Sequence, residues 1–333
     1  PYQDPAGTPK MNLVARRGSG SGGLAYFGHN DCVPADHWTG PGGPFEPVVT
    51  RGRLYGRGAC DMKGSLASML EAARRTQGKP HRHPLYYICT GDEEVGYLGA
   101  QAVVAQSQLY RELVQEGARA VIGEPTRLRV VHAHKGGAGY RFTAHGVAAH
   151  SSTAKGKNAN LAMIPLLAEL ADIHDEIETD SRWHHPEFDP PTLCMNIGIN
   201  DRNPAPNITA PQSVCTVYLR PMPGIDIEPI LERLRAVADA QGLEMETLID
   251  GPPVYTSPKA PIIQELLELT GLDRSETVGY GTDASIFQDI EQLAIFGPGD
   301  VAQAHTDDEW IALEQLERGA DYYTQLIAKW CHE

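Results

Sequence analysis

The sequence has no long apolar run, and no stretch approaches the roughly 20 apolar residues that a membrane-spanning helix needs. It also has no surplus of basic residues, because 28 Lys and Arg are outnumbered by 43 Asp and Glu, for a net charge of −15. Since phosphate binding needs clustered Lys and Arg, we expect neither nucleic acid nor a membrane as a partner. The excess of carboxylates is explained most simply by solubility, and the alternative is that some of them hold cations.

The six cysteines are scattered along the chain and never form a C-x-x-C pair. A disulfide framework is not expected in a chain of 333 residues with such spacing, which indicates a reducing compartment and predicts a cytoplasmic protein. No segment has the pattern of a signal peptide. The chain begins at Pro1 rather than at a methionine, so we expect that a preceding segment is missing from it.

The pattern of predicted strands and helices changes twice along the chain. Apolar runs at 24–28, 84–90 and 119–126 alternate with helical patterns, which predicts an α/β domain with a mostly parallel sheet and helices on both faces. Residues 135–246 instead predict strand, helix, strand, strand and helix, a compact α+β insertion. We therefore predict one discontinuous domain, 1–134 and 247–333, interrupted by a smaller domain at 135–246.

Candidate metal ligands lie at the ends of the predicted strands or directly before a helix. They are His29, Asp61, Glu93, Glu94 and Glu124. In sheets of this kind ligands bind beyond the carboxyl ends of the strands. Imidazole nitrogen and carboxylate oxygen are ligands of zinc, and a catalytic site keeps one position for water. Five such side chains at one edge of a sheet predict a metal site.

Each of these motifs has a simpler explanation when it is taken alone. Asp31, two residues after His29, is placed to accept a hydrogen bond from the imidazole, but G-H-N-D also fits a surface turn. Asp61 either caps a helix or bridges two metal ions. Adjacent carboxylates at Glu93 and Glu94 repel each other unless a cation or a proton separates them. They form either a solvated turn or a metal ligand beside a general base.

The ordered set of motifs resembles a known enzyme family. The segments are GHND, RLYGRGACDMKG, TGDEEVG, IGEPT, HKG, AHSS, PTL, NIG, LRPMPG, FGPGD and QAHTDDEW. Together they closely resemble the zinc deacylase and exopeptidase family that contains acetylornithine deacetylase and succinyl-diaminopimelate desuccinylase. IGEPT, HKG, AHSS, PTL and LRPMPG look most like the acetylornithine deacetylase branch. The resemblance implies a zinc exopeptidase-like domain interrupted by a dimerisation or lid domain.

The resemblance also implies a pair of divalent ions, zinc in the first place, with cobalt and manganese as alternatives that suit the same ligands. The implied ligand sets are His29, Asp61 and Glu124 for one ion, and Asp61, Glu94 and His305 for the other. Asp31 would orient His29, and Glu93 would be the general base.

The remaining implied residues concern the substrate. His150 resembles a histidine that reaches the partner subunit's site in a homodimer and stabilises the oxyanion, while Asn207 and Arg220 match positions that grip the substrate carboxylate. If the substrate is N-acetyl-ornithine, Asp283 could contact its side-chain ammonium. The implied reaction is amide hydrolysis of an N-acyl amino acid, giving ornithine and acetate for arginine biosynthesis.

Two kinds of alternative stay open. The first is a desuccinylase, an aminoacylase or a carboxypeptidase on the same scaffold. The second is a dimeric metal-binding protein without catalysis, which is disfavoured because all five ligands and Glu93 are present.

Overall fold

The structure is a computed structural model, and it describes residues 1–203 and 205–332. The chain divides into two compact units. The larger unit contains Pro1–His134, Val254–Thr277 and Thr282–Glu333, and the smaller unit contains Lys135–Pro253 and Val278–Gly281. Among the described residues, none of the helices combines the length and the apolar character that crossing a membrane would require.

The strands, in chain order, are β1 (Tyr2–Gln3), β2 (Pro9–Lys10), β3 (Leu13–Arg17), β4 (Leu24–His29), β5 (Val48–Thr50), β6 (Arg53–Tyr55), β7 (Leu85–Thr90), β8 (Arg119–Ile122), β9 (Val131–His134), β10 (Gly137–His145), β11 (Met195–Asn200), β12 (Gln212–Leu219), β13 (Glu244–Gly251), β14 (Val254–Tyr255), β15 (Glu276–Val278), β16 (Leu293–Ile295) and β17 (Trp310–Ala312). The α-helices are α1 (Gly64–Arg75), α2 (Leu98–Gln106), α3 (Gln108–Gln115), α4 (Ala159–Thr179), α5 (Glu228–Gln241), α6 (Pro261–Thr270) and α7 (Leu313–Ile327). Short helical turns are formed by Ala59–Lys63, Ser181–Trp183, Asp283–Ser285, Val301–Gln303 and Ala328–His332.

The larger unit is built on an eight-stranded sheet with the order β14-β9-β16-β8-β4-β7-β3, and β15 pairs with β9. The four central strands, β16, β8, β4 and β7, are parallel to one another. The outer strands β3 and β14 pair antiparallel with their neighbours. The mostly parallel α/β sheet expected from the sequence is therefore present, with antiparallel edges.

Helices cover both faces of this sheet, as consecutive residues of β4 show. Tyr26 and Phe27 are fully buried and, as neighbours in a strand, point to opposite faces. Tyr26 meets Tyr323 of α7 with ring centroids 5.3 Å apart. Phe27 meets Phe287 at 4.4 Å, and Phe287 in turn meets Tyr110 of α3 at 5.6 Å. Because both faces of β4 are covered, the strand is a continuous apolar run rather than an alternating one.

The smaller unit contains a four-stranded antiparallel sheet with the order β11-β12-β10-β13. Alternate residues of β12 are buried, from Ser213 through Cys215 and Val217 to Leu219. This period of two is typical of a sheet that is covered on one face only. Helices α4 and α5 pack against each other and contribute buried side chains such as Leu166 and Leu234.

The end of the smaller unit lies later than the sequence predicted. We expected the chain to return to the larger domain at residue 247, but β13 continues to Gly251 and pairs with β10 along its length, from Thr143↔Glu244 to Gly137↔Gly251. The unit ends at Pro253. Most side chains of β13 are exposed or half-buried, so backbone hydrogen bonds rather than an apolar pattern define the strand, and the sequence gives little sign of it.

Candidate metal centre

Three parallel strands bring candidate ligands to one edge of the large sheet. His29 is the last residue of β4, and Glu93 and Glu94 follow the end of β7 at Thr90. Glu124 comes two residues after the end of β8. Strands β7 and β8 both flank β4 and run parallel to it, so their carboxyl ends meet at the same edge.

Two further candidates come from outside these strand ends. Asp61 lies in the helical turn Ala59–Lys63, directly before α1. His305 follows the turn Val301–Gln303, downstream of β16, and has a positive φ of 61°. His29 is 1% exposed, whereas the side chain of His305 is 54% exposed, so the cluster reaches from the buried sheet edge to the surface.

Five of these side chains form two donor groups that share one carboxylate. The groups are His29, Asp61 and Glu124, and Asp61, Glu94 and His305, with the ligand atoms of each group within 4.8 Å of one another. Asp61 Oδ1 is 3.0 Å from His29 Nε2, and Asp61 Oδ2 is 3.4 Å from His305 Nε2. The two oxygens of Asp61 therefore face different imidazoles, the arrangement that a carboxylate bridging two cations requires. The ligand role of each residue remains a prediction.

Asp31 lies on the opposite side of the His29 ring from Asp61. Asp31 Oδ1 is 3.4 Å from His29 Nδ1, and Asp31 Oδ2 accepts a hydrogen bond of 3.1 Å from the backbone N–H of Glu94. A carboxylate beside Nδ1 leaves Nε2 as the ligand atom and fixes the orientation of the ring. Asp31 therefore connects His29 with the segment that carries Glu94.

The electrostatics of the cluster reflect a concentration of buried carboxyl groups. Burial, followed by the neighbouring carboxylates, raises the pKa of Glu93 and of Glu124 well above the ordinary value. The pKa of His29 is lowered by burial, but Asp31 and Asp61 outweigh this and raise it well above the usual range. Hydrogen bonds with Asp61 and Glu94 raise the pKa of His305 to about 10. Neighbouring carboxylates thus favour the protonated form of both imidazoles, and burial favours the protonated form of Glu93 and Glu124.

This donor set fits divalent cations. Carboxylate oxygen and imidazole nitrogen are ligands of zinc and of similar ions, and each group offers three of them. Burial, with a further contribution from neighbouring carboxylates, makes the ionised forms of Glu93 and Glu124 unfavourable and raises the pKa of both. Bound cations would favour the ionised carboxylates and would displace the protons from these groups.

The sequence profile of peptidase family M20/M25/M40 matches residues 25–329. The chain belongs to this family. It is 34% identical over 332 residues to acetylornithine deacetylase of Proteus mirabilis (strain HI4320), covering 97% of this chain and 83% of the relative. It is also 34% identical over 333 residues to the same-named protein of Edwardsiella ictaluri (strain 93-146), covering 97% and 84%.

Solved structures share its fold. The di-peptidase Dug1p from Saccharomyces cerevisiae superposes with a TM-score of 0.75 at 18% identity, covering 98% of this chain and 85% of that one. The M20 metallo-carboxypeptidase Sso-CP2 from Sulfolobus solfataricus gives a TM-score of 0.75 at 16% identity, covering 95% and 87%. The chain is thus a hydrolase of the metal-dependent M20 family, with the family's mixed sheet and inserted domain.

The sequence analysis missed the residues that hold the loop after β7, which carries Glu93 and Glu94. Asp92 precedes Glu93, and its carboxylate accepts hydrogen bonds from Tyr2 Oη at 2.9 Å and from Lys10 Nζ at 3.0 Å. The side chain of Asn12 accepts from the backbone N–H of Gly91 and donates to Gly99 O. These contacts join segments about 80 residues apart, so no local sequence pattern predicts them. The buried pair Arg57 and Glu309 was missed for the same reason.

Asp283 is near this centre but buried, with 2% of its surface exposed. Its Oδ2 is 2.5 Å from the hydroxyl of Thr90, the last residue of β7. Among the described residues its Oδ1 has no hydrogen-bond partner. Burial raises the pKa of Asp283 to about 6. The unpartnered oxygen is the atom that a cationic ligand would contact, and contact with substrate stays a prediction.

The other predicted substrate residues belong to the smaller unit. His150 is exposed, pairs in an isolated bridge with Ile208, and has its Nδ1 2.7 Å from Ser152 Oγ. Exposed Asn207 accepts a hydrogen bond on its backbone carbonyl from Ser151 N, which places it beside His150. Arg220 is half-buried, with its guanidinium 4.8 Å from the ring centre of Tyr218. Their roles stay predictions.

Proposed function

We propose that this M20 family member is an acetylornithine deacetylase, which hydrolyses N-acetyl-ornithine to ornithine and acetate in the cytoplasm as a step of arginine biosynthesis. The observation that supports hydrolysis is the shared carboxylate of Asp61, whose two oxygens face two different imidazoles. The substrate is supported by the relatives named acetylornithine deacetylase, at 34% identity over 97% of the chain. Two zinc ions are the proposed cofactor.

Two divalent cations, when bound, would lower the pKa of a water molecule from about 15.7 toward 7 and would polarise the amide carbonyl. His29, Asp61 and Glu124 would hold one of them, and Asp61, Glu94 and His305 the other. Glu93 belongs to neither donor group and is the neighbour of Glu94 in the chain. Its carboxylate would accept the proton of the attacking water and then deliver it to the leaving nitrogen, as the raised pKa of a buried carboxyl favours.

The smaller unit would supply groups that recognise the substrate. His150 would donate a hydrogen bond to the carbonyl oxygen as negative charge develops there, a contribution of about 2.7–4 kcal/mol for a single donor. Asn207 and Arg220 would bind the α-carboxylate, for which the planar guanidinium offers two parallel hydrogen bonds. Asp283 would contact the side-chain ammonium through its unpartnered Oδ1.

Positions within the smaller unit support a division of these residues between two copies of the chain. Arg220 directly follows β12, whose last residue pairs with Ala138 at the start of β10. His150 lies beyond His145, at the other end of β10. His145 lies seven positions after Ala138 in the extended strand, which corresponds to about 24 Å at roughly 3.4 Å per residue. Groups this far apart do not both touch one small amino acid. Because Asn207 lies beside His150, we propose that His150 and Asn207 both serve the partner subunit's site, whereas Arg220 serves the site of its own chain.

The surface of the smaller unit also favours a homodimer. In the part of the chain that the structure describes, strand β11 is an edge strand paired only with β12, and its Ile199 is 63% exposed. The adjacent helix α4 exposes Leu161 by 67% and Ile164 by 56%. An unpaired edge beside exposed apolar side chains is suited to pairing with a second copy of the same strand.

The substrate is tested by measuring kcat/KM for N-acetyl-ornithine, N-acetyl-methionine and N-succinyl-diaminopimelate with the zinc-loaded and the cobalt-loaded protein. We expect N-acetyl-ornithine to be preferred by at least about tenfold over either competitor, about 1.4 kcal/mol in the transition state. Preference for the succinyl compound would refute the deacetylase assignment while leaving the metal-dependent hydrolysis intact.

A further inference from the structure

Glu309 is one of the most deeply buried charged residues of the larger unit, and no role in the reaction described so far uses it. It is 1% exposed. Its Oε2 accepts a hydrogen bond of 2.8 Å from Nη1 of Arg57, and the two side chains are exposed by only 1% and 2%. Paired burial of this kind removes both charges from water, so the position of each group depends closely on the other.

The same carboxylate also binds the backbone that carries Asp61. Oε2 accepts from the N–H of Gly58 at 2.9 Å. Oε1 accepts from the N–H of Cys60 at 2.8 Å and from the N–H of Asp61 itself at 3.0 Å. With the contact from Arg57, four hydrogen bonds converge on one side chain. The Asp61 backbone is therefore anchored to an element that lies 248 residues further along the chain.

The backbone of Glu309 is anchored in turn, four residues after His305. Its carbonyl oxygen accepts from the N–H of Gly56 at 3.1 Å. The next residue, Trp310, begins β17 and pairs with Tyr55 of β6. Glu309 therefore connects the segment that ends in Asp61 with the segment that contains His305, through both its side chain and its main chain.

We propose that Glu309, held by Arg57, is a positioning residue of the metal centre, which fixes the shared carboxylate Asp61 relative to His305. This inference rests on the proposed pair of metal ions. The two oxygens of Asp61 face different imidazoles only while its backbone keeps one orientation. Glu309 sets that orientation at the backbone N–H of Asp61. Groups that orient metal ligands in this way commonly change metal affinity about 10- to 100-fold when they are replaced.

The test compares Glu309→Gln and Arg57→Lys with the wild type. A glutamine keeps the size of the side chain but presents an NH₂ group to donors that need an acceptor, so part of the network is lost. Arg57→Lys keeps the charge and is the milder change, which remains informative if Glu309→Gln fails to fold. Glu276→Gln is the matched control, because it removes the charge of the ion pair between Arg129 and Glu276 in the same unit. Arg129 Nη2 lies 2.5 Å from Glu276 Oε1, and both side chains are about one third exposed.

Metal-free protein is titrated with Co²⁺ by calorimetry, and the visible absorption of the bound Co²⁺ is recorded as a probe of ligand geometry. We expect the wild type and Glu276→Gln to bind two equivalents with the same affinities. Glu309→Gln should weaken Co²⁺ binding about 10- to 100-fold and alter the absorption bands, and Arg57→Lys should do so to a smaller degree.

Equal affinities and spectra in wild type, Glu309→Gln and Arg57→Lys, together with a lower unfolding temperature in the two variants, would show a purely structural pair and overturn the inference. A wild type that binds no Co²⁺ would instead refute the proposed metal centre, and the inference with it. The two failures are therefore distinguishable.

Discussion

Replacing Glu93 by glutamine should separate proton transfer from metal binding. Glu93 lies in neither donor group, so the change should leave both proposed ions bound. A general acid–base group contributes about 10²- to 10⁴-fold to a rate, which corresponds to about 2.7–5.5 kcal/mol of activation free energy. We expect kcat with N-acetyl-ornithine to fall by that factor, because the amide cannot accept the proton of water.

The structure also predicts the effect of this substitution on stability. The pKa of Glu93 is raised well above its ordinary value by burial and, among its neighbours, by Asp283 and Glu94. An ionised carboxyl at this position is therefore unfavourable in the metal-free fold, and a neutral amide of the same shape removes that cost. The free energy of unfolding of metal-free Glu93→Gln should equal or exceed that of the wild type.

The assay combines ornithine release at saturating substrate with metal content measured on the same sample. Glu94→Gln is the matched control: it is the same chemical change one residue along, but at a position within a donor group, so it should lose one equivalent of metal. Wild-type turnover in Glu93→Gln, or loss of a metal equivalent from it, would refute the role of this residue as the general base.

Three further predictions concern the substrate, the dimer and the dependence of stability on pH. Arg220→Lys should raise KM for N-acetyl-ornithine by about tenfold with little change in kcat, because an ammonium cannot make two parallel hydrogen bonds to a carboxylate; an unchanged KM would exclude this contact. Ile199→Lys should weaken dimerisation by at least about tenfold, about 1.4 kcal/mol. Turnover should fall as the monomer forms, because His150 is then absent from the partner subunit's site. Light scattering would measure the dimer and metal analysis would show that the metal stays bound, and an active monomer would contradict the prediction. Asp283, whose pKa is about 6 in the folded protein against an ordinary 3.8, binds its proton more tightly when folded, so its contribution to stability is present at low pH and is lost as pH rises through about 6. The free energy of unfolding should fall by about 3 kcal/mol through this group as pH rises, and Asp283→Asn should abolish this decrease. Urea denaturation of both metal-free proteins at pH 4 and pH 7 measures it, and the same pH dependence in both would refute the argument.

Much of the larger unit could be predicted because its signals are local. Each apolar run and the candidate ligand at its end lie within a few residues of each other, as His29 does at the end of β4 and Glu124 after β8. The rule for parallel sheets then brings the ends of these strands together. The family resemblance extended this to His305, which no local pattern connects with β4. Strand β13 was not predicted, and the boundary of the inserted domain was therefore placed too early, at 246. The half-exposed side chains of β13 carry no clear apolar period, and the strand is defined by its pairing with β10.

By itself the sequence determined which chemical groups stand at the strand ends, His29, Glu93, Glu94 and Glu124 among them, since these depend on spacing within single motifs. Only the tertiary structure decided how those groups are held. The hydrogen bond from the Asp61 backbone to Glu309 joins residues 248 positions apart, and the contact between Lys10 and Asp92 joins residues 82 positions apart. Contacts of this range arise when packed elements meet, and they leave no periodicity in the chain for sequence reasoning to find.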